Sequence, residues 1–221
     1  MNKTALSITL LALSAPSVAS LGVGSDPNWG VGSLTEDTST GLAWLTPITT
    51  SGLAFSKVRD LLNTDARYAG FRVARTAEFV TLFTSAGIPE INTPGYGALY
   101  GTTSNVAGVG LLQSMIGITY QYQYSGFGFL YETSGYIDDE FRSPINGLPS
   151  VNIGNVVFRT AVITGAGTYD FASAYSTWGS VPIGSALVGV GTWLVKQQVP
   201  EPQSIFIVSL ALAVCLSVRR R

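Results

Sequence analysis

The sequence predicts an α+β fold: a β-rich mixed module with two short helices in its first half, followed by a single C-terminal transmembrane helix. Three observations carry this. Helical spacing of apolar residues is confined to two short stretches before Gly87. The later body alternates, or runs apolar, in strand-length pieces. An uncharged apolar stretch precedes three terminal arginines.

At the N-terminus, Lys3 supplies a positive region, Ala5 to Leu13 an apolar one, and Ser17-Val18-Ala19 a small-residue cleavage pattern. Residues 1–19 therefore read as a secretory signal peptide, with cleavage after Ala19 and Ser20 a permissible alternative. The apolar part is too short to span a bilayer. Residues 20–196 are then one extracellular domain, long enough to bury a core, and residues 197–221 a sorting signal.

Within the body, Leu34 to Gly41 reads as a polar turn leading into an apolar strand over Leu42 to Leu45, with Trp44 in the core. Ser56 is placed to cap a helix reaching about Asn63, whose buried face is Phe55, Val58, Leu61 and Leu62. Gly70-Phe71-Arg72-Val73-Ala74-Arg75 alternates as a short strand. Thr76 then caps a second helix with Phe79, Val80, Leu82 and Phe83 on its core side, and Glu78 in its first turn favours the helix dipole. From Tyr96 onward no helical period is visible, and strands and loops are expected. Gly108 and Gly110, Gly126 and Gly128, and Gly165 and Gly167 read as turns or bulges. Tyr120, Tyr122 and Tyr124 alternate with Gln121 and Gln123, and Phe127 to Tyr131 can return as the hairpin partner. Alternation makes half-buried strands by default, so the tyrosines are expected to cover the core; a sugar-stacking platform is the other reading. A small outer-membrane barrel is a third, but leaves the C-terminal helix without a reason. Val156 to Ile163 and Ser185 to Val195 read as closing strands.

Composition excludes several chemistries. Charged residues make up only 11% of the 221 residues, and the body carries eight basic against twelve acidic ones. That mildly acidic balance, with no basic patch, argues against nucleic acid as a partner and against anionic lipid. The chain has no histidine, and its one cysteine is Cys215 in the apolar tail. A Ser-His-Asp triad, a thiol nucleophile, imidazole zinc sites and body disulfides are all excluded. Neither Lys57 nor Lys196 follows a serine at the spacing of a Ser-x-x-Lys dyad. Carboxylate pairs remain. The densest run, Asp138-Asp139-Glu140, reads as a solvated loop; it offers oxygens to calcium but lacks the spaced order of a calcium loop, and Asp26-Pro27-Asn28-Trp29-Gly30 fails the same test. Adjacent acids are not the cleft-spanning pair of a glycosidase. No phosphate-binding glycine loop occurs. The expectation is no catalytic residue, no metal and no cofactor.

Val199-Pro200-Glu201-Pro202 is an extended, accessible peptide, because two prolines fix φ and remove two backbone donors. Ser204 to Val218 carries no charge and as a helix spans about 22 Å, against a hydrocarbon core of about 30 Å. It is a short anchor, suited to temporary retention. Arg219, Arg220 and Arg221 hold the far end on the cytoplasmic side. This order resembles the PEP-CTERM sorting domain, whose members are processed by membrane-embedded exosortases. The resemblance implies cleavage near Pro200 to Pro202, an exosortase-like partner, transient membrane attachment, and a place at the cell surface or in the extracellular matrix. A plain membrane anchor with a proline stalk is the alternative.

Thr40 to Leu45 and Gly70 to Phe79 together resemble the Lcl C-terminal domain family of C-type-lectin-like modules. That resemblance implies a mixed α+β body used for attachment to polysaccharide or matrix. The function expected from the sequence is thus a non-enzymatic surface protein associated with exopolysaccharide; the competing class is a carbohydrate-active enzyme using a carboxylate pair.

Overall fold

The computed structural model describes residues 21–89, 102–124, 128–142, 148–163 and 167–198. The chain runs β1 (Leu21–Asp26), β2 (Gly30–Asp37), β3 (Leu42–Leu45), α1 (Phe55–Thr64), β4 (Arg72–Val73), α2 (Thr76–Ser85), α3 (Val106–Ile116), β5 (Tyr120–Tyr124), β6 (Gly128–Arg142), β7 (Pro149–Ile163), β8 (Gly167–Pro182), β9 (Val190–Thr192) and β10 (Leu194–Gln197). It is a β-rich α+β protein, as the sequence predicts. Among the described residues no helix is long and apolar enough to cross a membrane; the expected transmembrane stretch, 204–218, lies outside them, as do the signal peptide and residues 199–202 and 219–221.

Two sheets form. The first has the order β1-β2-β3-β10-β4, so the last strand of the body is inserted between β3 and β4. The second has the order β5-β6-β7-β8, with β9 parallel to β6 beyond the end of β5. β6, β7 and β8 are 15, 15 and 16 residues long, which at about 3.3 Å per residue makes a ribbon of about 50 Å.

Trp193 joins the sheets, because β9 belongs to the second and β10 to the first. Its amide donates to the Tyr136 carbonyl at 3.0 Å, its carbonyl accepts from the Ala74 amide at 2.8 Å, and its indole N–H reaches the Gly154 carbonyl at 3.1 Å. Side chains alternate along β3 and β10 and so feed two cores. Trp44 and Val195 enter one with Phe79, Leu82 and Phe83 of α2 and Leu112 and Ile116 of α3. Leu45 and Leu194 enter the other with Phe55 and Val58 of α1, Tyr136 and Ile153. Trp44 is fully buried, as expected.

The structure moves several boundaries. Leu34 to Asp37 is not a turn but the end of β2; the turn is confined to residues 38–41. Helix α1 buries the predicted face, but Ser56 does not cap it: Ala54 precedes the helix, and the free amide of Ser56 is met by the Ile183 carbonyl at 2.9 Å. Thr76 is likewise the first residue of α2 rather than its cap. The end is secured by Glu78, whose carboxylate accepts from the Arg75 amide at 2.9 Å and grips the Arg72 guanidinium at 2.8 and 2.5 Å.

Helix α3 overturns the expectation of strands and loops after Tyr96. Gly108 and Gly110 lie inside it rather than in a turn. A Cβ on Gly108 would stand 2.7 Å from the Ile88 side chain and 2.8 Å from the Ala86 carbonyl. The glycine lets this helix cross closely over the chain leaving α2, and packing outweighs its low helix propensity of about 1 kcal/mol. Gly128 and Gly167 open β6 and β8; Gly126 and Gly165 lie outside the described residues. Residues 138–140, expected as a loop, belong to β6, in which pairing with β7 shifts between Ile137 and Phe141. Of Ser185 to Val195 only the part from Val190 is strand, broken at Trp193.

Candidate functional site

The predicted hairpin forms with Tyr120 opposite Glu132, Tyr122 opposite Leu130 and Tyr124 opposite Gly128. The tyrosines, however, do not cover the core. Tyr120 is 40% and Tyr122 47% exposed, with Gln121 and Gln123 exposed on the other face. The cause is position: β5 is the sheet's edge strand, and the core packs against β6 to β8 instead. Tyr124 takes its place in β5; its side chain lies outside the description.

Around Tyr120 the surface is recessed. A pocket of about 260 Å³ is lined by Tyr120, Glu132 and Leu187 to Val190. Gly189 has φ +74° and no room for a side chain, since a Cβ there would meet Tyr120 Cβ at 2.8 Å; the turn folds back against the tyrosine. Glu132 is oriented by the Asn155 amide at 2.8 Å and by the Ser134 hydroxyl, while Asn155 is itself buried with its Oδ1 unpaired among the described residues. An aromatic ring beside a fixed carboxylate gives an apolar plate with a hydrogen-bond acceptor at its rim, a combination suited to a sugar ring. On the opposite face Phe129 and Tyr131 stack at 6.2 Å between centroids, and Phe129 is 38% exposed.

The acidic run contributes differently. Asp138 is exposed, its amide donating to the Ala74 carbonyl at 2.9 Å; the Asp139 and Glu140 side chains lie outside the description. Glu132 and Asp138 are six residues apart on one strand, about 20 Å, beyond the separations at which paired carboxylates cleave a glycosidic bond. Among the described residues no group of histidine, cysteine, aspartate or glutamate could hold a metal ion.

A second polar place escaped the sequence reading. Asp26, 4% exposed, pairs with Lys196, whose ammonium also lies 4.8 Å from the centre of the Phe71 ring. Burial raises the Asp26 carboxyl, but the Lys196 bond and the Asn28 amide at 2.8 Å outweigh it and hold the carboxyl below its ordinary range. These partners are 170 residues apart, so no local spacing signals the pair. They adjoin a groove of about 790 Å³ across β1, β2, β3 and β10.

Comparison of the chain with protein-family models, curated proteins and solved structures gave no match.

Proposed function

We propose that this is an exported, non-enzymatic surface or matrix protein, processed by an exosortase-like enzyme at Val199 to Pro202, whose body retains extracellular polysaccharide through the edge strand Tyr120–Tyr124. The observation that carries the binding role is the exposure of Tyr120 and Tyr122 on an edge strand beside Glu132. Exposed aromatic rings on a rigid strand cost little conformational entropy to bind with, and stack on the C–H face of a sugar. The C-type-lectin-like reading of the body rests on Thr40 to Leu45 and Gly70 to Phe79; these segments build the core strand β3 and the start of α2, which supports a shared scaffold and leaves the ligand to other surfaces.

The test is retention of native polysaccharide by the purified protein. Tyr120→Ala and Tyr122→Ala together are expected to lower affinity about tenfold or more, at about 0.5–1.5 kcal/mol per stacked ring, while the variant still unfolds cooperatively, with a melting temperature lowered only modestly because both rings are about half exposed. Undiminished retention by the folded double variant would exclude the platform. The competing enzyme reading predicts sugar release that is lost in Asp138→Ala, Asp139→Ala or Glu140→Ala.

A further inference from the structure

We infer that the groove across β1, β2, β3 and β10 is a second carbohydrate site, one that takes an amine-bearing sugar unit: Glu36 receives the ammonium, and Lys196 and the neighbouring amides receive hydroxyls. It stands on different residues from the tyrosine strand and on the opposite sheet.

Strand register builds the site. Glu36 pairs with Ala43 and Ala43 with Lys196, so the three stand abreast on β2, β3 and β10. Glu36 and Lys196 are thus two strand spacings, about 10 Å, apart at the backbone, and the short Ala43 side chain leaves a slot between the long ones. Leu34 and Ala43 supply an apolar floor, and Gln197 and Gln198 close one end.

The two charged groups differ in what they have left to offer. Lys196 is committed to Asp26 and lies over Phe71, so its head is fixed while an ammonium carries three donors. It is suited to meeting a ligand oxygen. Glu36 is half-buried and has no hydrogen-bond or ion-pair partner among the described residues. Its carboxylate lies over Gly24: a Cβ on that glycine would collide with Glu36 Oε1. The missing side chain at position 24 is what seats it. A carboxylate partly removed from water without a partner costs free energy that an incoming donor recovers.

The charge balance selects the ligand. Asp26 and Lys196 neutralise each other, leaving Glu36 as the uncompensated charge of the groove. An acidic sugar is repelled there and a neutral one donates a hydroxyl to a charged acceptor only, whereas a protonated amine makes a hydrogen bond in which both partners are charged and adds their Coulomb attraction. Lys196, in turn, disfavours a ligand that is cationic throughout and favours one with hydroxyls at its other end.

The experiment is calorimetric titration of the full chain with N-acetylglucosamine oligosaccharides deacetylated at one terminal unit, which carry a single amine, and with their fully N-acetylated counterparts. The expected result is a preference of about tenfold or more for the deacetylated probe, weakening as salt is raised. Glu36→Gln, which keeps shape and removes charge, is expected to abolish the preference without altering thermal unfolding, and Glu36→Asp, which withdraws the carboxylate, to reduce it. The Tyr120→Ala, Tyr122→Ala protein is expected to keep the preference, so failure of the tyrosine platform leaves this site standing. Equal affinity for the two probes, binding of neither, or a preference intact in Glu36→Gln would overturn it.

Discussion

Trp193 shows how one side chain can impose requirements on residues distant in sequence. Its ring lies 4.5 Å from that of Phe79, and Phe79 lies 4.4 Å from Phe83. The floor beneath is a cross-strand glycine pair, Gly135 on β6 opposite Gly154 on β7. A Cβ on Gly135 would stand 2.7 Å from Trp193 Cδ1, and one on Gly154 would collide with the Phe79 ring. Gly135→Ala and Gly154→Ala are therefore expected to destabilise by about 1–3 kcal/mol each, the cost of overpacking a dense core, read as a fall in melting temperature. A neutral result at both would mean the rings have room that the packing denies them. Asp26 carries the pH dependence. Its carboxyl is depressed in the folded state, so the stability it contributes is fully present above the ordinary carboxylate pKa and is lost as pH falls through the depressed value. Lys196→Met leaves that buried carboxylate uncompensated and is expected to cost about 2–3 kcal/mol at neutral pH, less than for a fully dry pair because the lysine is 25% exposed. Urea unfolding should show the gap between wild type and variant narrowing as pH falls below the ordinary carboxylate range and through the depressed Asp26 value; a gap independent of pH would point to packing alone.

At the level of elements, the C-terminal strand is structurally central although it is last in the chain. β10 is bonded on both sides, to β3 and to β4, and the Gln198 amide still reaches the Gly41 carbonyl at 2.8 Å. A chain ending at Gln198 is expected to fold with wild-type cooperativity, and one ending at Gly189 to fail, since the first sheet would lose its interior strand and both cores the residues around Trp193. Far-UV circular dichroism and thermal melting distinguish the two; a folded shorter chain would contradict the topology. Legibility from sequence follows the same division. β3, α1, α2 and the tyrosine hairpin were readable because their signals are local: apolar spacing at the period of each element, with turn residues beside them. α3 was not, because Gly108 depresses helix propensity for the sake of a contact with Ile88 and Ala86 that only tertiary structure creates. The exposure of Tyr120 and Tyr122 was misread because alternation reports that a strand has two faces and not whether the strand lies at an edge. The Asp26 and Lys196 pair, and the groove beside it, depend on β10 returning to the N-terminal strands, which no local pattern encodes.

For the whole molecule, the position of that return sets how the body would meet a processing enzyme. Gln198 is held to Gly41, and Val199 to Pro202 follow at once. An enzyme acting there works within a few residues, about 3.3 Å each, of a folded surface, and leaves every described strand intact. The central claim, export followed by removal of the tail, is tested most directly by the intact mass of the protein recovered from its native cell surface or medium, beside a variant with Pro200, Glu201 and Pro202 changed to alanine. The exported and processed reading predicts a wild-type mass lacking residues 1–19 and the tail beyond about Pro202, with the variant keeping its tail. A wild-type protein that still carries Arg219 to Arg221 would contradict it and make this a permanently anchored membrane protein.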